Sequence, residues 1–236
     1  MEETTSSPPG LDLERLVEVR LNEFREVPGL LEWQLPIGAA LFRLVAEARP
    51  LTAAEIASVL RLPVGEVSPR FDGLLQELGV VRDKDGNVTI AAMSPQGTQL
   101  PIFRFAWRDT GKVAEIPGCS GDMLLPVLAA RRPARIDLPC PATGRTISVE
   151  VGSAGEVERV DPADAVAIME SLDSESHPRD WVRSDCAAGL FFASAEAASE
   201  WLAEHPGYLA VPMALFFRTE TQIFTRALAE GDRLRS

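Results

Sequence analysis

The chain of 236 residues lacks any apolar run long enough to cross a bilayer, so no membrane partner is expected. Its first ten residues, Met1 to Gly10, are acidic and rich in Ser and Pro. They have neither the basic start nor the apolar stretch of an export signal, so they read as a disordered tail and the cytoplasm is the expected compartment. Histidine is scarce, with 2 residues, His177 and His205. Cysteine is scarce as well: 3 residues, Cys119, Cys140 and Cys186, with no Cys-x-x-Cys pair. An odd count argues against a disulfide framework, and a closed zinc site would need four well-placed ligands. Positive charge is short: 23 Lys and Arg face 35 Asp and Glu, for a formal net charge of −12. Such a chain repels phosphate backbones and anionic surfaces, so no nucleic-acid partner is expected.

What is present suits a globular protein with a sizeable core: 46% of the residues are hydrophobic and 25% charged. Leu11, Leu13, Leu16, Val17, Leu21 and Phe24 form a helical stripe that Pro28-Gly29 ends, and Leu35 to Ala48 reads as a second helix. Thr52-Ala53-Ala54-Glu55 is a capping box opening a short helix through Leu60. Ser68-Pro69 predicts the start of a further helix, Ser as cap and Pro at its first position, with Phe71, Leu74, Leu75 and Leu78 on one face. Two β-prone runs then flank Asp83-Lys84-Asp85-Gly86, a hairpin signal. Helix, turn, helix and hairpin in this order predict a winged-helix-like module. Its second helix carries Arg70 among Glu66, Asp72 and Glu77, an acidic balance that suits packing or lid duty better than DNA binding.

Beyond a Pro- and Gly-bearing stretch at 94–101 the pattern changes. Short strands are expected at Ile102 to Trp107, Ala134 to Leu138, Thr146 to Val151, Glu156 to Val160 and Ala165 to Met169, and an apolar run at Leu190-Phe191-Phe192. Ser194 caps a helix from Ala195 to Glu204, and a last helix runs from about Met213 to Ala229. The expected organisation is a tail at 1–10, a helical winged-helix-like domain at 11–93, a linker at 94–101 and an α+β domain at 102–236. The tryptophans Trp33, Trp107, Trp181 and Trp201 read as core or pocket rim, and His177 and His205 as surface or capping residues. Arg131-Arg132 is expected to complement the C-terminal end of the helix after Cys119, and Asp173-Ser174-Glu175 to be a solvated loop.

One cluster carries chemistry. Cys119 follows Pro117-Gly118 and precedes Ser120-Gly121-Asp122-Met123-Leu124-Leu125, which places it at the start of a helix. Backbone N–H groups and the helix dipole there bias a thiol towards thiolate. Cys119 and Asp122 are spaced i, i+3 and would share a helix face, a nucleophile beside a proton carrier.

The longer succession is more specific. Cys119-Ser120-Gly121-Asp122 is followed by Cys140-Pro141-Ala142-Thr143-Gly144, then by Cys186, then by Phe191-Phe192-Ala193-Ser194. In order and approximate spacing this resembles the alkylmercury lyase (organomercurial lyase, MerB) family over roughly residues 37 to 205. The resemblance implies an α+β lyase-like domain and cleavage of carbon–mercury bonds by protonolysis. Cys119 and Cys186 would be the two thiolate nucleophiles and, together with Asp122, the mercury ligands, with Asp122 also the proton relay. Cys140 would be a structural thiol supporting a turn. No organic cofactor is implied, and Hg(II) would be held as product. The implied partners are an organomercurial substrate, cellular thiols and a mercuric reductase that accepts Hg(II). Thiolates suit mercury because both are soft. Two departures bear on the pocket wall and hence on the substrate. Ile116-Pro117-Gly118 stands where the family usually has aromatics, and Ala187, Ala188, Gly189 and Leu190 where it often has histidines. Two alternatives remain: the same scaffold acting on another carbon–heteroatom bond, and a non-catalytic soft-metal carrier or regulator. The acidic second helix counts against a regulator. Asp122 counts against a pure carrier, since holding a metal needs no proton relay.

Overall fold

A computed structural model describes residues 13–77, 81–82, 88–89, 101–171 and 190–235. The tail at 1–10, the linker at 94–100, Leu78, the turn at 83–87, Asp173 to Glu175, His177, Trp181 and Cys186 lie outside the described residues. The architecture is α+β.

Helix α1 (Leu13–Glu26) buries Leu16, Val17, Leu21 and Phe24, and Gly29, with φ 75°, turns the chain after it. One π-helical turn (Leu30–Gln34) leads straight into α2 (Leu35–Ala46). The Thr52 hydroxyl accepts the Glu55 N–H at 3.2 Å and starts α3 (Ala53–Leu60), as the capping signal predicts. Helix α4 spans Val64–Glu77, one turn longer at its N-terminus than Ser68-Pro69 suggests, so Pro69 lies inside the helix. The reason is Pro63, whose carbonyl accepts the N–H groups of Glu66 and Val67 at 3.1 and 3.3 Å. Pro69 then forfeits only the bond to the carbonyl four residues back. Strands β1 (Val81–Arg82) and β2 (Val88–Thr89) follow and pair antiparallel.

The second region is built on two antiparallel sheets. Strands β3 (Ile102–Trp107) and β4 (Val113–Pro117) form a hairpin whose turn needs Gly111 at φ 69°. A 3-10 turn (Gly121–Leu124) and α5 (Leu125–Ala130) come next, then β5 (Ala134–Pro139), β6 (Thr146–Val151), β7 (Val157–Asp161) and β8 (Val166–Glu170). The chain continues through β9 (Phe191–Phe192), α6 (Ala195–Glu204), β10 (Tyr208–Pro212) and α7 (Met213–Arg235). One sheet has the order β4-β3-β5-β6-β7, the other β10-β8-β9. Strands β4 and β10 are not among the sequence expectations, and α7 runs six residues past the expected Ala229. Its last turn is fastened from outside: Arg235 Nη1 donates to the Glu32 carbonyl at 2.6 Å.

The larger core joins both sheets to α7 and α1. Phe191 is its keystone, with ring centroids 6.0 Å from Phe103, 5.7 Å from Phe216 and 5.9 Å from Phe217. A smaller core gathers Ile37, Leu41 and Leu44 of α2 with Ile56, Val67 and Phe71. Helix α2 thus contributes to both cores, and most of its residues are buried although its ends are short of caps. Arg131 is the left-handed residue that closes α5, at φ 52°. Arg132 does not complement the α5 end as expected. It makes paired bonds to Asp109, both 2.7 Å, and lies 4.4 Å over the Trp107 ring, because a facing carboxylate offers its fork a better match than exposed carbonyls. Trp107 is fully buried and its indole N–H donates to the Ala46 carbonyl at 2.7 Å, tying β3 to the end of α2. Trp107→Phe keeps a benzene ring but deletes the pyrrole half and its N–H, so urea unfolding should show a loss of about 1–3 kcal/mol from the stranded carbonyl and more from the void left in the core. Among the described residues no helix is long and apolar enough to cross a membrane.

Candidate active site

Strand β4 delivers the chain to the site. Its last residue, Pro117, pairs with Ile102, and the next N–H, that of Gly118, donates to the Pro101 carbonyl at 3.2 Å. The backbone entering Cys119 is therefore fixed by the edge of the five-stranded sheet. Ser120 is buried and precedes the 3-10 turn, and Pro126 sits in the first turn of α5, where it lacks no needed N–H. Cys119 lies just ahead of this tight turn, not on the first turn of an α-helix. The i, i+3 spacing still brings the two groups together, since a 3-10 turn has three residues per turn.

The contact is direct. The Cys119 N–H donates to Asp122 Oδ2 at 2.9 Å, and the Cys119 thiol also hydrogen-bonds that carboxyl. Asp122 as a residue is only partly covered, yet its carboxyl turns inward against buried Gly118. Burial pushes this carboxyl above the usual carboxylate range, and the two Cys119 bonds only partly offset it. Cys119 itself is half-buried. On the far side of the turn stand Glu220 and Phe224 of α7: a Cβ on Gly121 would lie 3.4 Å from Glu220 Oε2 and 3.6 Å from Phe224 Cζ. No local signal marks these two residues in the sequence, because a helix a hundred residues away brings them.

Cys140 sits elsewhere, in the turn between β5 and β6. Its N–H donates to the Arg145 carbonyl and its carbonyl accepts the Gly144 N–H, both at 2.8 Å. The sulfur is fully buried and accepts the Ala193 N–H at 3.4 Å, a tie from this turn to the corner between β9 and α6. Burial pushes the thiol up, but hydrogen bonds from the Thr143 hydroxyl and the N–H groups of Ala193, Thr143 and Ala142 outweigh it and hold it below the ordinary thiol range. Ser194 accepts the Ala197 N–H at 3.1 Å and caps α6, and His205 ends that helix with its ring stacked 3.9 Å from Trp201. Cys186 lies outside the described residues. Its segment re-enters the described chain at Leu190, directly before the Phe191 keystone. Among the described residues no group of three or more His, Cys, Asp or Glu is placed to hold a metal ion.

This site can be set beside known proteins. The family model for alkylmercury lyase (MerB) matches residues 112–225, a span that holds Cys119, Asp122, Cys140 and Cys186. The alkylmercury lyase of Pseudomonas putida is 30% identical over 200 residues, which cover 82% of this chain and 85% of that protein. The chain belongs to the alkylmercury lyase family. The protein is thus an enzyme of that family. The alkylmercury lyase of Streptomyces lividans is 28% identical over 192 residues, 81% of this chain and 83% of that protein. In fold, the chain is similar to the crystal structure of the mercury-bound form of MerB2, with a TM-score of 0.52 and 22% identity over 94% of this chain and 97% of that one.

Proposed function

We propose that this alkylmercury lyase family member cleaves the carbon–mercury bond of an organomercurial by protonolysis, releasing a hydrocarbon and retaining Hg(II). The observation that carries the reading is the double hydrogen bond from Cys119, backbone and thiol, to the Asp122 carboxyl. A carboxylate that already accepts the thiol proton is placed to take it as the sulfur bonds mercury. Cys186 supplies the second sulfur. Two thiolates on one mercury push electron density onto the bound carbon, and Asp122 returns the proton to that carbon. The balance closes: R–Hg⁺ and two thiols give R–H, mercury bridged by two cysteine sulfurs, and one proton released. No organic cofactor enters. A cellular thiol would exchange onto the mercury, and a mercuric reductase would be the acceptor downstream.

The division into a winged-helix-like unit at 11–93, a linker at 94–101 and a catalytic α+β unit at 102–236 belongs to the same proposal. Helix α4 is read as packing surface and not as a DNA reader. Its Arg70 lies 3.6 Å over the Trp33 ring and donates to the Glu66 carbonyl at 2.6 Å, so its cation is engaged within the fold.

The test is incubation with phenylmercury and excess thiol, with headspace chromatography for benzene. The wild-type chain should release benzene catalytically, and Cys119→Ala and Cys186→Ala should each release none. A chain that takes up phenylmercury yet forms no benzene would instead be a carrier or an enzyme for another bond.

A further inference from the structure

The glycine in front of Cys119 is packed so closely that a side chain there would require the Asp122 carboxyl or the Met123 methyl to give by a few tenths of an ångström. A Cβ built on Gly118 would lie 3.0 Å from Asp122 Oδ2, 3.0 Å from Met123 Cε and 3.2 Å from Asp122 Cβ. Gly118 itself is buried, so that space is the interior of the turn and not solvent. We propose that Gly118 is a positioning residue, whose missing side chain leaves the volume in which the Asp122 carboxyl is held against Cys119. The inference rests on the role for Asp122 given under Proposed function.

The choice of which group would yield follows from what pins each one. The backbone of Gly118 cannot retreat readily: its N–H is bonded to the Pro101 carbonyl, and the residue before it is paired in the β3–β4 ladder. Met123 is flexible but fully buried, so its methyl has little room to swing into. Asp122 is only partly covered and can turn outward. The oxygen it would have to move, Oδ2, is the one that accepts the Cys119 N–H. A single methyl at position 118 therefore presses on the Asp122 carboxyl and competes with the bond that aligns relay and nucleophile, while the chemical identity of both groups is unchanged. Shifts of a few tenths of an ångström at a proton-transfer contact cost rate while leaving soft-metal capture by the sulfurs in place.

The test is Gly118→Ala in the full chain, read in three ways. Expected are a kcat for phenylmercury protonolysis lower by about tenfold or more with KM nearly unchanged, one mercury retained per protein, and faster hydrogen exchange at the Cys119 amide. If the methyl unfolds the protein by pressing on Met123, the pair Gly118→Ala with Met123→Leu removes the terminal methyl and keeps the contact with Asp122. Unchanged exchange at Cys119, or faster exchange with unchanged kcat, would overturn the inference. Should the wild-type chain release no benzene, the functional reading fails by itself. Exchange at the Cys119 amide then decides whether Gly118 still positions Asp122.

Discussion

Replacing Asp122 with Asn should lower phenylmercury turnover by about 10²–10⁴-fold, the usual worth of a positioned proton carrier. Mercury should still bind at one per protein, because the two sulfurs are untouched. The amide can keep the Cys119 N–H bond through its oxygen, so the loss isolates proton transfer from geometry. Stability should move the other way. The carboxyl is held above its ordinary range by burial, so the fold favours its neutral form. Such a group stabilises most at pH below its unfolded value and loses that contribution as pH rises through its folded value. At neutral pH Asp122 is therefore a burden on the fold, and Asp122→Asn should raise the melting temperature slightly. In the wild type, turnover should fall as pH drops through the raised Asp122 value, since a protonated carboxyl cannot accept the Cys119 proton. Comparing pH profiles of kcat for wild type and Asp122→Asn checks this, since the variant should lose that limb. A variant with near-normal turnover would remove Asp122 from the mechanism.

The second large effect is on the fold. Gly231, near the end of α7, faces the π-helical turn after α1, and a Cβ there would lie 2.1 Å from the Leu31 backbone oxygen. Backbone cannot swing aside as a side chain does, so Gly231→Ala forces the helix away from Leu31. Overpacking of this kind costs about 3 kcal/mol. The helix preference of Ala over Gly returns about 1 kcal/mol, so the clash wins by about 2 kcal/mol. Calorimetry should show a melting point lower by roughly 4–8 °C for a chain of this size. The same approach explains why α7 continues past Ala229: the close contact at Gly231 and the bond from Arg235 to Glu32 hold a last turn whose sequence carries no strong helical signal. A melting point equal to or above that of the wild type would show that the contact relaxes freely.

Local chemistry was readable where a residue acts on its neighbours. Thr52 and Ser194 cap the helices that their spacing announces, and the strands from Ala134 to Met169 follow β-prone runs. Ser68-Pro69 misled because it resembles a helix start, while the working signal was the free carbonyl of Pro63. The β3–β4 turn at Gly111 was visible in principle, since Asp109-Thr110-Gly111 is turn chemistry, but β4 itself is short and alternates weakly. Strand β10 exists because β8 supplies a partner forty residues earlier. Arg132 could not be read from its neighbours, as its partner Asp109 is brought by the hairpin. At the site, the i, i+3 pairing of Cys119 with Asp122 was legible, and its 3-10 character was not. In the sequence Gly118 shows only as part of the Pro117-Gly118 pair before Cys119. Its role depends on where the Asp122 carboxyl packs, which spacing alone does not encode. The order of the three cysteines carried the family, whereas Glu220 and Phe224 came only with the packing of α7.

The most direct measurement is X-ray absorption at the mercury edge after one turnover of phenylmercury without added thiol, on the wild type and on Cys186→Ser. The expected wild-type spectrum is one mercury bonded to two sulfurs, with one equivalent of benzene released, and a single sulfur without benzene for Cys186→Ser. Two sulfurs and full benzene release from Cys186→Ser, or a single sulfur in the wild type, would contradict a site in which residues 119 and 186 grip the same ion.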